Sequence, residues 1–248
     1  MAFSTVILQV YLIYGLIFIL FTILGFKILS RKRTRISITL SLTFLVPAVG
    51  ILINIIYRTV DNYAFNLIGN KLTIIFSCLG LVNVYSFIKM IEKSKESFYL
   101  KKQVVISLVY FVLLLVLLLI PEGVDFEYGG VAGISGYNSR SLDPLDLGVP
   151  VWSNTFFIYG IIVSQLMTGL IIYLGVKQYN EMGKMGVFGK KYIQTLIGII
   201  LMDLVIIGSF LFNWLNSDIG RTIHLIISLC IVPSAIFLYL GLKQEKKK

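Results

Sequence analysis

Seven stretches of this chain are apolar for about the twenty residues that a helix needs to cross a bilayer, and that feature limits the fold more than any other. They cover residues 5–26, 36–57, 72–88, 103–120, 153–176, 192–214 and 222–242. The runs are continuously apolar, whereas barrel strands would be about ten residues long and alternating, so helices are the expected spanning form. Composition agrees. The chain is 57% hydrophobic and 14% charged, against about 25% charged in an ordinary soluble domain. The lipid bilayer must therefore serve as solvent for most of it. The expected fold class is an all-α membrane protein, a single seven-transmembrane helix bundle over residues 1–248.

The loops set the orientation. Eighteen of the 22 Lys and Arg residues fall in the first, third and fifth connections and the C-terminal tail; the remaining four are Arg58, Lys71, Arg140 and Arg221. Positively charged loops stay in the cytoplasm. This places the N-terminus outside, the C-terminus in the cytoplasm and the chain in the cell membrane as a multi-pass protein. The net charge of +10 is then mostly this bias and attraction to anionic inner-leaflet lipid, and no nucleic-acid partner is expected. The N-terminus has no basic region followed by a cleavage site, so the first segment is expected to remain in the mature chain.

The one long connection, the outer loop 121–152, holds Glu122, Asp125, Glu127, Asp143 and Asp146 against a single Arg140. Its stretch 124–137, interrupted by Gly129-Gly130, reads as a short hairpin, and the loop as a lid over an outward-facing pocket. The fifth connection, Lys177 to Lys191, mixes Gly183, Gly186 and Gly189 with lysines and is the expected docking place for a cytoplasmic partner. Three helices, a nearly featureless fourth and three more also fit a 3+1+3 repeat. Its letters are few: Ile13-Tyr14-Gly15 recurs as Ile158-Tyr159-Gly160, and sliding the second segment onto the sixth sets Pro47 opposite Asp203.

Asp203 is a lone carboxylate near the middle of the sixth segment, and an ionisable group at that depth is a functional-site candidate. No Lys or Arg shares its depth, so it either bonds as interhelical glue to Asn83, Gln165 or Ser228 or faces a wet cavity. The candidate ligand or proton site is Asp203, Gln165, Asn83, Asn54 and His224. Asn54, Asn213 and His224 sit nearer the outside, with Arg58 and Arg221 at the rim. Pro47 and Pro233 lie mid-segment and are candidate hinges.

Catalysis finds little support. One histidine and two cysteines inside apolar segments do not build a typical zinc site, and Asp203 has no second acid to pair with. The reading is no enzyme, no metal and no cofactor. The seventh segment has no lysine for a Schiff base, which excludes retinal of the microbial rhodopsin type. The acidic-Arg-aromatic and NPxxY signatures of G-protein-coupled receptors are missing, as is the Pro-Gln signature of the 3+1+3 sugar transporters.

Gly148, Pro150 and Trp152 lead into the fifth segment, which carries Tyr159; the sixth is entered through Gly189-Lys190-Lys191-Tyr192-Ile193-Gln194; the seventh ends in Tyr239-Leu240-Gly241. This pattern resembles the seven-transmembrane N-terminal sensor region of prokaryotic histidine kinases. The resemblance implies an outer-loop entry at Trp152 and Tyr159. With no kinase domain before the last residue, Lys248, it also implies a stand-alone sensor or receptor that takes a small ligand from outside and signals through a cytoplasmic partner. A small transporter with a midplane substrate or proton site at Asp203, and a non-catalytic membrane scaffold, are the alternatives. A receptor predicts a pocket closed at the cytoplasmic end; a transporter predicts a path on both sides of Asp203.

Overall fold

The computed structural model describes residues 8–30, 33–60, 62–92, 99–128, 131–139, 148–182 and 187–242. Seven helical spans in it, the last of them interrupted, are long and apolar enough to cross a membrane. A π-helical turn, Leu8–Ile13, leads into α1 (Tyr14–Leu29). Then come α2 (Arg35–Thr59), α3 (Tyr63–Glu92) and α4 (Leu100–Leu119). Three short strands, β1 (Val124–Tyr128), β2 (Val131–Ala132) and β3 (Val149–Trp152), and one small helix, α5 (Gly133–Ser139), follow. The chain continues as α6 (Asn154–Met182), α7 (Val187–Leu215), α8 (Asp218–Ser228) and α9 (Ile231–Leu242).

Local chemistry explains the ends. The Thr34 hydroxyl accepts from the Ser37 amide at 3.3 Å and starts α2, and Ser217 does the same for α8 through Gly220 at 3.1 Å. The helices outrun their apolar cores. α6 reaches Met182 and α7 begins at Val187, so most of the Lys177–Lys191 connection is helical, and Lys177 pairs with Glu181 one turn on. Of the three glycines of this connection, Gly183 and Gly186 lie outside the described residues.

The seventh apolar segment is two helices. Pro233 has no N–H for the Leu229 carbonyl, which takes the Val232 amide at 3.2 Å instead, and the helix breaks between Ser228 and Ile231. Pro47, by contrast, sits inside the unbroken α2. Helix α4 buries only Tyr110, Leu114 and Leu117, a single stripe at helical spacing, while Val105, Leu108, Val109 and Val112 are exposed on its other faces. Such a helix suits a lipid-facing linker between α1–α3 and α6–α9.

The connection after α4 is more ordered than a bare lid. β1 pairs antiparallel with β2, the expected hairpin, and also with β3, giving the order β2-β1-β3. Pro150 is accommodated because β3 is an edge strand. Along β1, Val124, Phe126 and Tyr128 are buried against the bundle, and Asp125 and Glu127 alternate outward, half-buried. Glu122 is exposed; Arg140, Asp143 and Asp146 lie outside the described residues. The sheet closes one end of the bundle. The other end collects Lys27, Arg33, Arg35, Lys89, Lys101, Lys102, Lys177, Lys190 and Lys191, and is called the lysine-rich end below.

The lysine-rich half is tightly packed. Ser41 donates to the Gly25 carbonyl at 2.8 Å and Ser234 to the Gly198 carbonyl at 2.7 Å. A Cβ at Gly198 would lie 2.8 Å from the Leu238 amide nitrogen and 2.9 Å from the Ser234 carbonyl oxygen, so only glycine lets α7 and α9 approach this closely. The two groups of helices are tied here by Gln178, whose side chain donates to the Ile88 carbonyl at 3.1 Å, and by Lys27, which lies 5.7 Å over the Tyr239 ring. Across α2 and α4, Arg35 donates two bonds to Gln103, which donates to Thr39.

Candidate functional site

Between the two groups of helices, under the sheet, is a cavity of about 170 Å³. Helical spacing builds its wall. On α2, Pro47, Ile51, Asn54 and Arg58 recur every three or four residues; on α7, Met202, Val205, Ile206, Ser209, Phe210 and Asn213 do the same. Asn70, Thr73, Ser77 and Cys78 come from α3, and Arg221, His224 and Ser228 from α8. Tyr14, Ile17 and Phe21 of α1 complete the side, and Val149, Pro150 and Trp152 of β3 form the cover.

The polarity is graded with depth. Beneath the sheet are Arg58, Asn54, Asn70, Asn213, Arg221 and His224; halfway down the bundle, the wall is Phe21, Ile51, Cys78, Met202 and Ile231. The lining goes no further toward the lysine-rich end. Buried Phe44, Leu40 and Leu24 and the serine–glycine contacts fill that half.

A hydrogen-bonded chain holds the polar rim. The fully buried Tyr57 hydroxyl accepts from Asn54 Nδ2 and from Asn70 Nδ2, each at 3.0 Å, and Trp152 Nε1 donates to Asn70 Oδ1 at 3.2 Å. This links α2, α3 and the cover. Arg58 donates to the Gly148 carbonyl at 2.6 Å, and its guanidinium lies 5.0 Å over the Phe126 ring and 5.2 Å over Tyr57. His224 Nε2 is 3.0 Å from the Ser209 hydroxyl. Asn54 is 7% exposed, and its Oδ1 finds no partner among the described residues.

The sheet is fastened to both groups of helices. On one side, Asp125 accepts from the Tyr63 hydroxyl of α3. On the other, Glu127 accepts from Asn216 at 2.6 Å and forms an ion pair with Arg221 at 3.5 Å. Trp152 bridges the groups by packing edge-on against Phe210 at 4.9 Å. A half-buried, hydrogen-bonded ion pair of this kind contributes more than an exposed one because water screens it less.

The sequence-predicted residues divide. Asn54, His224, Pro47 and Trp152 line the cavity; Asp203, Gln165, Asn83, Pro233 and Tyr159 do not. Asp203 is half-buried and accepts from Gln165 Nε2 at 2.7 Å, joining α7 to α6 away from the cavity. Of its three expected partners, only Gln165 is bonded to it: Asn83 donates to the Leu79 carbonyl in its own helix, and Ser228 to that of His224. Tyr159 is a tie rather than part of the mouth, its hydroxyl donating to the Leu113 carbonyl at 2.7 Å. Sequence reasoning missed Tyr57, Asn70, Phe210 and the role of Glu127. A signal existed for Tyr57, which falls on the same face of α2 as Asn54 and Arg58. Comparison with protein-family models, with curated proteins and with solved structures finds no match to this chain.

Proposed function

We propose that this protein is a multi-pass membrane sensor that takes a small ligand into the cavity from the sheet-capped side. The change passes to a cytoplasmic partner at the lysine-rich end. The observation that supports this reading most is the one-sided cavity: polar under the sheet, apolar at mid-depth, and followed by closely packed helices. By the positive-inside rule the lysine-rich end faces the cytoplasm and the sheet faces outward. That arrangement is in keeping with the resemblance to the membrane sensor region of histidine kinases, in which a Gly-Pro-aromatic pattern similar to Gly148, Pro150 and Trp152 leads from the outer loop into the fifth helix. A transporter would need a path past Asp203, and Asp203 is bonded to Gln165 off the cavity wall. The sensor reading is therefore preferred, and Asp203–Gln165 is assigned to holding α6 against α7.

A sensor needs two packings that differ in ligand affinity. The sheet is fastened to both groups of helices, so releasing one fastening should change their balance. Nitroxide labels at Ile91→Cys on α3 and Lys190→Cys on α7, with both native cysteines changed to serine, report the spacing at the lysine-rich end. Pulsed electron paramagnetic resonance should give two distance populations whose ratio changes on Glu127→Gln. A single distance, unmoved by that substitution, would count against a sensor.

A further inference from the structure

The cavity also specifies the kind of molecule it takes, and this inference rests on the sensor reading only for the ligand's purpose. The rim charges are already engaged: Arg58 by the Gly148 carbonyl and two aromatic faces, Arg221 by Glu127 and Asn216. An anionic head would have to displace Glu127 at Arg221, or at Arg58 the Gly148 carbonyl that ties down the cover. A cationic head would meet two guanidinium groups and, among the described residues, no carboxylate in the wall. Among the described uncharged side chains of the wall, the one with an unmatched buried atom is Asn54. Asn54 lines the cavity and is more than nine-tenths buried; its Nδ2 is held by Tyr57, and its Oδ1, itself buried, has no described partner. With Nδ2 committed to Tyr57, the Oδ1 asks for a donor. A buried amide left unmatched is costly, and a ligand that satisfies it gains that energy. Below Asn54 the wall is Ile51, Ile74, Met202 and Ile206, which offers contact only to an apolar group.

We infer that the cavity binds a neutral, amphipathic small molecule whose head carries both a hydrogen-bond donor and an acceptor, as a primary amide or a hydroxyl does. The head meets Asn54, and a short hydrocarbon tail points toward the midplane. A dry cavity of about 150 Å³ accommodates benzene, so a ligand of about eight non-hydrogen atoms is the right scale.

Hexanamide, N,N-dimethylhexanamide and hexanoate separate the terms. They share the tail; the second lacks the donor and the third replaces the neutral head with an anion. Binding to the full chain in lipid nanodiscs can be followed by ligand-observed NMR, with saturation distinguishing the site from partition into lipid. Hexanamide should bind saturably, and the other two should bind about tenfold more weakly or worse, the equivalent of one hydrogen bond. Asn54→Leu should remove that preference. Ile206→Phe, which fills the apolar floor, should abolish saturable binding of all three while leaving the unfolding midpoint near wild type, so lost binding is not confused with lost fold. Equal binding of the three probes, or tighter binding of hexanoate, overturns the ligand class and leaves the sensor reading standing. Saturable hexanamide binding with no change in the Ile91–Lys190 distances upholds the class and counts against the sensor. Absence of saturable binding by any probe overturns the ligand class itself.

Discussion

The two halves of the bundle use the same kinds of residue to opposite ends. Toward the lysine-rich end, Ser41 and Ser234 spend their hydroxyls on the carbonyls of Gly25 and Gly198, and the helices close on one another. Toward the sheet, Asn54 of α2, Asn70 of α3 and Asn213 of α7 keep a cavity between them, with the sheet fastened across it. Small residues let helix backbones meet; amides and guanidinium groups hold them apart and need partners. A bundle built this way is closely packed toward its lysine-rich end and holds open space under the sheet.

That contrast can be broken by substitution, and the largest effect is expected in the packed half. Gly198→Ala puts a methyl against backbone atoms of α9, and overpacking that cannot relax should cost about 3 kcal/mol. Reversible unfolding in mixed micelles measures it; a cost near zero would show that this half has slack. Next is Gln165→Leu, which leaves Asp203 without its bond from α6 and should cost about 1 kcal/mol, the range of interhelical hydrogen bonds in membranes. Glu127→Gln should cost below about 1 kcal/mol, because the Asn216 bond survives while the ion pair with Arg221 is lost. In hydrogen exchange, β1 and β3 should exchange faster, while the backbone bonds of α7 below Phe210, which a rigid-body shift of the helix leaves intact, should exchange as before. The smallest effect is expected at the cavity. Ile51→Phe adds volume to a wall that faces open space and should stay within about 0.5 kcal/mol, where the same enlargement in the packed half would not be tolerated. If Ile51→Phe proved as costly as Gly198→Ala, the distinction between the halves would fail.

The sequence is informative about depth and poor about rotation. Runs of apolar residues place seven helices, and lysines mark one end, because the bilayer imposes both. The depth of Asp203 could be read by counting from those ends. Its direction could not: the neighbours of Asp203 are nearly all Leu, Ile and Val, so the pattern does not say which face of α7 turns inward. Gln165 was one of three acceptable partners for that reason. The cavity was only partly legible. Asn54, Arg58 and His224 stand out as polar residues near the outer end, but Asn70 and Trp152 become neighbours only when α3 meets β3, 82 residues apart. The two prolines make the same point. Pro47 and Pro233 look alike in sequence, yet Pro233 coincides with a break between two helices while α2 continues through Pro47. Neighbouring helices decide which carbonyl can find another donor.

The most direct test of a cavity open on one side alone uses a residue already in place. Cys78 is buried on the cavity wall at mid-depth, and Cys230 does not line it. With Cys230→Ser in sealed vesicles of known orientation, a small, membrane-impermeant methanethiosulfonate should modify Cys78 when added to the side of the sheet, faster after Glu127→Gln, and not when added to the lysine-rich side. Modification from the lysine-rich side would mean a path through the packed half and would contradict the account.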